Sequence, residues 1–303
     1  MDTSVGRFGR VSASDAARAS DFSFSDREFQ LISDRIKKLC GIHLPESKRM
    51  LVYSRLSRRL RALGLTTFGD YVALLDGQEA DKELPFAINA LTTNLTRFYR
   101  EPHHFDHLRS MVIPNLFTPA NRTKRIRFWS AGCSSGEEPY SIAMTVLDAV
   151  PSLSSFDFRV LATDIDTDMI TRSQAAVYDA RELDSIPEPM RSRDTIAMPD
   201  DRNRFSLSPE VKELVSFKQL NLIEGWPMAG PFDVIFCRNV MIYFEPDVQK
   251  MIVDRMANLL APGGFLYIGH SENMTRITDS VELVGATVYA RTNGGSRNVG
   301  GRS

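Results

Sequence analysis

The sequence predicts a doubly wound α/β domain that follows a small all-α domain. From Lys124 onward, apolar runs rich in β-branched and aromatic residues alternate with helical segments. Such alternation is typical of a mainly parallel sheet with helices on both faces. Between residues 22 and 92, apolar residues instead recur at three- and four-residue spacing, which indicates amphipathic helices. A chain of 303 residues is long enough for two domains.

Domain boundaries follow from shifts in composition. Both ends of the chain are rich in small, polar and charged residues and carry almost no large apolar side chain, so they cannot form a core. We therefore expect a disordered tail over 1–20, a helical domain over 21–92, a linker over 93–107, an α/β domain over 108–292 and a second disordered tail over 293–303.

The composition limits which binding partners and which cellular compartment are expected for the protein. The formal net charge is −1, which does not favour nucleic-acid binding or attachment to a membrane surface. The three cysteines, Cys40, Cys133 and Cys237, are odd in number and widely spaced. That pattern favours reduced thiols in the cytoplasm over a disulfide framework or a zinc site. We expect neither a secretion signal nor a membrane span, because no apolar run is long enough.

One helix of the all-α domain is strongly basic. Ser25 followed by Glu28 resembles a capping box and predicts a first helix. A second helix is expected over 48–63, followed by short helices over 67–75 and 82–91. The second helix carries six cations and no acid between 48 and 61: Lys48, Arg49, Arg55, Arg58, Arg59 and Arg61. Such a stretch is either a solvated charged face or a docking surface for an acidic partner, and the density of cations favours the second interpretation.

The α/β domain should contain five strands, three long helices and a closing antiparallel pair. The strands are expected at 126–131, 158–163, 215–220, 232–237 and 264–269, the helices at 137–149, 167–177 and 246–260, and the antiparallel pair near 280–290. A further helix is predicted over 102–117. Residues 178–215 are too many for a plain loop, and the alternating pattern at 204–208 predicts a small antiparallel β insertion over about 179–215.

A glycine turn after the first strand is the strongest local signal. Ile126–Tyr140 runs as a strand, a small-residue turn from Gly132 to Gly136, and a helix start that contains Glu137 and Glu138. Glycines allow a sharp turn and close approach of the backbone to a ligand. Two acids suit the first turn of a helix because of the helix dipole.

Polar side chains follow three further strands and the linker. Asp164 ends the second strand, Asn221 follows the third, and Arg238 and Asn239 follow the fourth. Ligands bind at the carboxyl ends of parallel strands, and an acid ending the second strand is placed to accept hydrogen bonds from ribose hydroxyls. The linker supplies amide, hydroxyl and guanidinium groups at Asn94, Thr96 and Arg100, either as an inter-domain turn or as a lid over a polar ligand.

The acids beside the glycine turn distinguish between adenosine cofactors. The turn lacks the strict G-x-G-x-x-G pattern of dinucleotide-binding proteins. Glu137 and Glu138 also stand where a pyrophosphate would lie, and like charges would repel. A cofactor with a cationic amino group suits them better, and S-adenosylmethionine has both an ammonium and a sulfonium.

At this point the sequence closely resembles the CheR family of chemotaxis receptor methyltransferases. The matching segments are ALTTNLTRFYRE (90–101), WSAGCSSGEEPYSIAM (129–144), ATDIDTDMI (162–170), LNL (220–222) and FDVIFCRNVMIYF (232–244). The resemblance implies a Rossmann-like S-adenosylmethionine-dependent methyltransferase domain with a small antiparallel β insertion, preceded by an all-α domain. It further implies methyl transfer to glutamate side chains of chemoreceptors, with S-adenosylhomocysteine as product. The implied cofactor contacts are Asn94, Thr96, Arg100, Glu138, Asp164, Asn221, Leu222, Arg238 and Asn239.

The resemblance also suggests how the chemistry and the docking work. The nucleophile is a substrate carboxylate that is already ionised at pH 7, since its unperturbed pKa is ~4.3, so no general base is needed. Arg100 and Tyr243 are the candidates for orienting it, although Arg100 could instead hold the cofactor and Tyr243 could simply pack. The basic helix (48–61) would face the receptor's helical methylation region. The loop 198–204 contains no glycine, unlike members that bind a receptor C-terminal pentapeptide, so we expect a pentapeptide-independent enzyme.

Three alternative functions and one possible metal site compete with this interpretation. The turn formally satisfies G-x-S-x-G, with Ser134 as nucleophile, Asp233 as acid and His270 as base of a hydrolase. A scaffold that binds the cofactor as a signal, without methyl transfer, is the second alternative. The third alternative is a nucleic-acid methyltransferase that contacts RNA through the basic helix, and the near-neutral total charge argues against it. The histidines at 103, 104 and 107 have some metal-like spacing, but methyl transfer needs no metal, so ordinary capping and surface positions are expected for them.

Overall fold

A computed structural model describes residues 22–292 and divides the chain into two compact units. Among the described residues, one unit contains 22–39 together with 43–92, and the other contains 40–42 and 93–292. The tails expected over 1–20 and 293–303 lie outside the described residues. Within residues 22–292, no helix is both long enough and apolar enough to cross a membrane.

The first unit is built from helices. They are α1 (Asp26–Cys40), α2 (Arg49–Leu63), α3 (Phe68–Asp76) and α4 (Ala80–Leu91). The capping box before α1 is present, because the Ser25 N–H and hydroxyl donate to Glu28 Oε2 and the Glu28 N–H donates back to Ser25 Oγ. Gly64 ends α2 in the left-handed conformation, with φ of +69°, where a side chain would be strained.

The cations of α2 have partners that the sequence of the helix alone does not show. Arg59 donates to both oxygens of buried Glu83 of α4, at 2.7 and 2.6 Å. Arg49 forms an ion pair with Asp26. Arg55 donates to two backbone carbonyls at and just beyond the end of α4. Part of the basic face therefore stabilises the fold of the first unit itself.

The second unit is organised around a seven-stranded mixed sheet with the order β6-β2-β1-β7-β8-β10-β9. The strands are β1 (Arg125–Ala131), β2 (Asp157–Asp164), β6 (Val215–Gln219), β7 (Phe232–Cys237), β8 (Leu260–Ile268), β9 (Val281–Gly285) and β10 (Val288–Arg291). The first five strands in this order are parallel to one another. β10 pairs antiparallel with β8, and β9 pairs antiparallel with β10. After β1 the chain adds β2 and β6 on one side of that strand, and it later adds β7 and β8 on the other side. The point where the direction of strand addition reverses, called the switch point, therefore lies between β1 and β7. The predicted fold class is confirmed.

Helices cover both faces of this sheet and a small second sheet is inserted. The helices are α5 (His103–His107), α6 (Ile113–Leu116), α7 (Glu137–Ala149), α8 (Thr167–Ala175), α9 (Met190–Asp194), α10 (Pro209–Glu213) and α11 (Pro246–Leu259). The insertion is an antiparallel sheet of β3 (Val177–Asp179), β5 (Arg204–Leu207) and β4 (Thr195–Ala197), paired in the order β3-β5-β4. Only the β5 strand was expected from the alternation of its residues.

The helix expected over 102–117 is interrupted. Between α5 and α6 the backbone widens into a π-helical turn over Leu108–Val112. Pro114 explains the interruption, because proline has no N–H to donate and its ring clashes with the carbonyl four residues earlier. A local π turn is a common way to accommodate such a break.

The strand β1 separates two hydrophobic clusters. Phe128 packs in one cluster and the adjacent Trp129 in the other, as expected from the twofold alternation of a strand. Both side chains are fully buried. Cys40, Cys133 and Cys237 are buried free thiols, in agreement with the expectation that the cysteines form no disulfide.

Candidate functional site

The predicted site residues of the α/β domain gather at the carboxyl edge of the sheet. β2, β1 and β7 are neighbours in that order, and they end at Asp164, Ala131 and Cys237. The glycine turn follows β1 directly, and Arg238 follows β7. Their common edge is the crevice at the switch point, where α/β sheets bind their ligands.

The glycine turn needs its glycines because of neighbouring protein atoms. Gly132 has φ of +77°, and a Cβ there would lie 2.3 Å from Val240 Cγ2. Gly136 has φ of +100°, and its Cβ would lie 2.8 Å from Ser173 Cβ. The N–H groups of Gly132 and Cys133 both donate to the carbonyl at the end of β2, at 2.8 and 2.9 Å. The turn is therefore fixed by packing and backbone hydrogen bonds.

Asp164 connects the ends of β1 and β2. Its Oδ2 accepts the Ser134 N–H at 2.7 Å, and its Oδ1 accepts the Asp166 N–H at 2.9 Å. Burial raises the pKa of Asp164 to about 6, and these two backbone hydrogen bonds oppose the rise. The carboxylate is thus held in a fixed orientation at the crevice.

The linker lies across the glycine turn. Asn94 donates from Nδ2 to Asp166 Oδ2 at 2.8 Å, and its carbonyl accepts the Ser134 hydroxyl at 3.1 Å. Thr96 is half-buried on the same segment. Asn94 is thereby brought to the edge of the sheet, next to Ser134 and Asp166, both of which donate to Asp164.

Arg100 stands between two strained residues. Tyr99 and Glu101 have φ of +52° and +57°, a region that side chains other than glycine rarely occupy. The Arg100 Nη1 donates to the Leu95 carbonyl at 2.8 Å. Backbone strain of this kind persists where surrounding contacts hold it, and functional sites are one such place.

Arg238 is the centre of the charged network. Its Nη1 lies 3.2 Å from Glu138 Oε2, its Nη2 donates to the Arg100 carbonyl, and Nη2 lies 3.4 Å from Glu101 Oε2. The arginine side chain is 2% exposed. Ser130 donates to the other Glu138 oxygen at 2.7 Å. Burial raises the pKa of Glu138, although the positive charge of Arg238 opposes that shift.

The two acids of the turn occupy different surroundings. Glu137 accepts the Ser135 hydroxyl at 2.9 and 2.8 Å, and burial raises its pKa to about 7. The negative charge of Glu182, in the segment that follows β3, adds a smaller contribution to this rise. Glu138 instead meets Arg238 within the crevice. The geometry therefore favours Glu138 over Glu137 as the acid that faces a cationic group.

Asn221 and Leu222 follow β6, beyond Asp164. The Asn221 side chain accepts the Ile223 N–H at 3.3 Å and donates to Glu224 Oε1 at 3.0 Å, so it caps its own turn. Leu222 is buried among the apolar side chains on one face of the sheet. The N–H of Leu220 donates to the Asp164 carbonyl at 2.9 Å, which keeps this turn next to the end of β2.

The loop after β7 depends on an acid that the sequence analysis missed. Glu272 accepts the N–H groups of Asn239, Ile242 and Gly269 at 2.8, 3.1 and 2.7 Å. It thereby holds Asn239 at φ of +61°. Tyr243, in the same loop, donates from its phenol to the Thr93 carbonyl at 3.2 Å. No sequence pattern links Glu272 to this loop, because the partners are about thirty residues apart.

The histidines after the linker do not all occupy the capping and surface positions expected from the sequence. His104 is fully buried and contacts the rings of Phe236 and Tyr267. His107 shares a hydrogen bond of 2.8 Å with the Tyr267 hydroxyl. The alternation of β7 and β8 buries aromatic side chains on the face where α5 packs, and this explains the burial of His104.

The geometry does not support the hydrolase alternative. The Ser134 hydroxyl donates to the Asn94 carbonyl and not to a histidine. Asp233 accepts the Arg127 N–H at 2.8 Å. Asp233 is the second residue of β7 and thus lies away from the carboxyl end of that strand. Neither group is arranged to activate a serine nucleophile.

The groups present fit S-adenosylmethionine. The cofactor carries a carboxylate, an ammonium and ribose hydroxyls, and the crevice offers Arg100 and Arg238, Glu138 and Asp164 as groups of matching charge or polarity. The Arg238 Nε is buried and has no hydrogen-bond partner among residues 22–292, so this donor remains available. The paired arginine and glutamate also match a zwitterionic ligand better than a pyrophosphate.

Comparison with known proteins gives matches along both units. Residues 94–290 match the family model for the CheR methyltransferase SAM binding domain, and residues 27–92 match the model for the CheR methyltransferase all-alpha domain. A probable chemotaxis protein methyltransferase of Rhizobium etli is 45% identical over 260 residues, which are 84% of this chain and 96% of that protein. Chemotaxis protein methyltransferase 2 of Pseudomonas aeruginosa is 42% identical, over 89% and 95% of the two chains. The chemotaxis protein methyltransferase of Escherichia coli is 41% identical, over 88% and 92%.

We expect binding of S-adenosylhomocysteine to strengthen as the pH rises through about 6. Only the ionised Asp164 can accept hydrogen bonds from both ribose hydroxyls, and its pKa is raised to about 6. Asp164→Asn should weaken binding by about 10- to 100-fold at pH 7.5, as expected for loss of a charged hydrogen bond, and should flatten the pH dependence near 6. Calorimetric titration between pH 5 and 8 measures both effects.

Asp168→Asn, which alters an exposed acid of α8, is the matched control and should behave as the unaltered protein. If Asp164→Asn retained the full pH dependence, the ionisation would belong to another group, with Glu137 the first candidate.

Proposed function

The chain belongs to the CheR methyltransferase family, and on that premise we propose that it transfers methyl groups from S-adenosylmethionine to glutamate carboxylates of chemoreceptors in the cytoplasm. The products would be glutamate methyl esters and S-adenosylhomocysteine, and the methylation would serve chemotactic adaptation. The observation that carries the proposal is the match to both CheR models over residues 27–92 and 94–290. It is supported by relatives named chemotaxis protein methyltransferases that align along nearly their whole length.

The chemistry requires alignment more than acid or base catalysis. Bound S-adenosylmethionine supplies an activated methyl group. A bond forms between a glutamate oxygen and the methyl carbon while the bond from that carbon to sulfur breaks, and its electron pair stays on sulfur. The nucleophile is already an anion at pH 7, so no proton has to be removed. An anion and a sulfonium neutralise each other in this step, which exclusion of water from the crevice favours.

We assign the orienting role to Arg100 and Tyr243. Arg100 lies in the strained segment next to Arg238, and Tyr243 reaches the Thr93 carbonyl from the loop after β7. Both belong to segments that border the crevice, and both present hydrogen-bond donors that suit a carboxylate. Correct placement of two reacting groups supplies a large part of the barrier reduction in such transfers. Cofactor contacts are assigned to the linker, glycine-turn and strand-end residues Asn94, Thr96, Arg100, Glu138, Asp164, Asn221, Leu222, Arg238 and Asn239.

The part of α2 that remains available for a receptor is smaller than its sequence suggests. Arg49, Arg55 and Arg59 have partners within the first unit. Arg58 and Arg61 are exposed, and Arg61 also lies over the ring of Phe22, 5.3 Å from its centre. We propose that the helix 48–61 contacts the acidic helical methylation region of the receptor mainly through these exposed cations, because complementary charge accelerates docking and gives it a salt dependence.

We also propose that the enzyme does not require a receptor C-terminal pentapeptide. The segment that joins β4 to β5 spans only residues 198–203 and has no glycine. Family members that bind the pentapeptide resemble one another in a glycine-containing loop at this place.

Labelled methyl groups should move from S-adenosylmethionine to receptors in membrane preparations, and the label should be released by base as expected of an ester. Arg100→Ala should lower kcat/KM by about 100-fold, because misplacement of the reacting groups by about 1 Å costs that much. Arg97→Ala, which removes an exposed arginine of the same segment, is the matched control. Cofactor binding without labelled receptors would support a scaffold and contradict the proposal.

Charge reversal on α2 should weaken receptor methylation and leave the cofactor unaffected. Arg58→Glu should raise the KM for receptor by about fivefold at low salt, which corresponds to about 1 kcal/mol for an exposed charge pair. The effect should shrink as ionic strength rises. Lys38→Glu makes the same change of charge at an exposed position of α1 and should leave the KM unchanged; equal effects of the two variants would exclude a specific contact.

A peptide with the sequence of a receptor C-terminal pentapeptide should not bind with submicromolar affinity. Calorimetric titration of the peptide tests this, and binding of S-adenosylhomocysteine in the same sample shows that the protein is folded. Removal of the pentapeptide from a receptor should correspondingly leave the KM of the enzyme for that receptor unchanged. Tight peptide binding would overturn the assignment based on the short β4–β5 connection.

A further inference from the structure

Three side chains at the start of α5 direct polar atoms toward one another without hydrogen bonds. Glu101 Oε2, His103 Nε2 and His104 Nδ1 are each buried and have no hydrogen-bond partner within residues 22–292. One ligand atom from each of the three residues lies within 4.8 Å of the others. Buried polar atoms nearly always have hydrogen-bond partners in folded proteins. Three such atoms without one in a single place need an explanation, although Glu101 Oε2 also lies 3.4 Å from Arg238 Nη2.

The hydrogen bonds on the far side of His104 determine its tautomer. The Thr287 hydroxyl donates to the Ala286 carbonyl at 2.8 Å, so it accepts from His104 Nε2, which lies 2.8 Å away. The proton of the neutral ring is therefore on Nε2, and Nδ1 carries a lone pair. Burial is the main cause that lowers the pKa of His104 to about 3, followed by the positive charge of Arg238.

That lone pair faces a carboxylate. His104 Nδ1 lies 3.6 Å from Glu101 Oε2, and two acceptors at this distance in a buried place repel each other. The ring proton lies on Nε2, on the far side of the imidazole, so no hydrogen bond joins Nδ1 to the carboxylate. A cation between the two atoms would remove the repulsion and satisfy both.

The distance between His104 Nδ1 and Glu101 Oε2 suits two ligands of one transition-metal ion. Two ligands at ~2.0–2.2 Å from a tetrahedral zinc ion lie about 3.4 Å apart, close to the 3.6 Å between Nδ1 and Oε2. Two imidazole nitrogens and one carboxylate oxygen are a donor set that favours zinc-like ions over Mg²⁺ or Ca²⁺, which prefer oxygen ligands. The contact of His104 with Thr287 is the type of outer hydrogen bond that orients a ligating histidine.

We propose that Glu101, His103 and His104 bind a divalent transition-metal ion of the zinc class. The ion completes the contacts of the buried His104 and holds Glu101 in its left-handed conformation. It takes no part in the transfer of the methyl group. The positive charge of Arg238, 3.4 Å from Glu101, opposes metal binding, but its ion pair with Glu138 compensates part of that charge.

The site can be tested with Co²⁺ and Zn²⁺ on full-length protein without a polyhistidine tag, after treatment with a chelator. Titration with Co²⁺ should give the visible absorption characteristic of tetrahedral coordination, and this absorption should saturate at one equivalent of Co²⁺. Addition of Zn²⁺ should displace the Co²⁺ and abolish the absorption. Zn²⁺ should also raise the Tm of the protein, because the ion binds only the folded state. His103→Gln, which alters the half-buried ligand, should lower Co²⁺ affinity by more than the ~10-fold typical of losing an outer-shell partner.

His43→Gln removes an exposed histidine of the first unit and should leave Co²⁺ affinity unchanged. Should His103→Gln fail to fold, as judged by its binding of S-adenosylhomocysteine, Glu101→Gln serves as the second ligand variant and should lose the metal as well. Absence of a saturable one-equivalent signal in the unaltered protein overturns the proposal. Equal affinity of the ligand variants and His43→Gln also overturns it, since the metal would then bind elsewhere.

Discussion

A buried ion pair between Arg238 and Glu138 holds together the three segments that form the cofactor edge. Arg238 follows β7, Glu138 begins α7 after the glycine turn, and Arg238 also donates to the carbonyl of Arg100 in the linker. Removing one partner of such a pair leaves an uncompensated buried charge, which typically costs about 3–5 kcal/mol. The pair therefore adds to the backbone hydrogen bonds of the turn and to the Asn94 contacts of the linker in holding these segments next to the end of β7.

Two other buried acids shape the loops around that pair. Asp164 accepts the N–H of Ser134, whose φ is +49°, and Glu272 accepts that of Asn239, whose φ is +61°. Both conformations are unfavourable for residues with side chains. Hydrogen bonds from backbone N–H groups to a charged carboxylate are stronger than neutral ones, so they offset the local strain. The same acids that orient the crevice thus also fix its backbone, and a substitution at either changes both properties.

Local patterns predicted the elements well, whereas contacts between distant residues were not visible in the sequence. The strand β1, the glycine turn and α7 were predicted because each has a periodic or turn-forming signature within a few residues. Glu83 as partner of Arg59, and Glu272 as support of the loop after β7, depend on the folded chain. The strands β3 and β4 have three residues each, too few for an alternating pattern. The π turn after α5 ends two residues before Pro114, and the uninterrupted helix predicted over 102–117 took no account of this proline.

Glu101 connects the charged network to the histidines. Its Oε1 lies 3.4 Å from Asn239 Nδ2, and its Oε2 lies between Arg238 and His104. A metal ion held by the histidines competes with Arg238 for the same oxygen. Binding of the proposed ion would therefore favour the contact of Arg238 with Glu138, the acid proposed to face the cofactor ammonium. Because coupling between two ligands is reciprocal, a cofactor that draws Glu138 away from Arg238 must weaken the metal site by the same factor. The single carboxylate of Glu101 is sufficient to link the two sites.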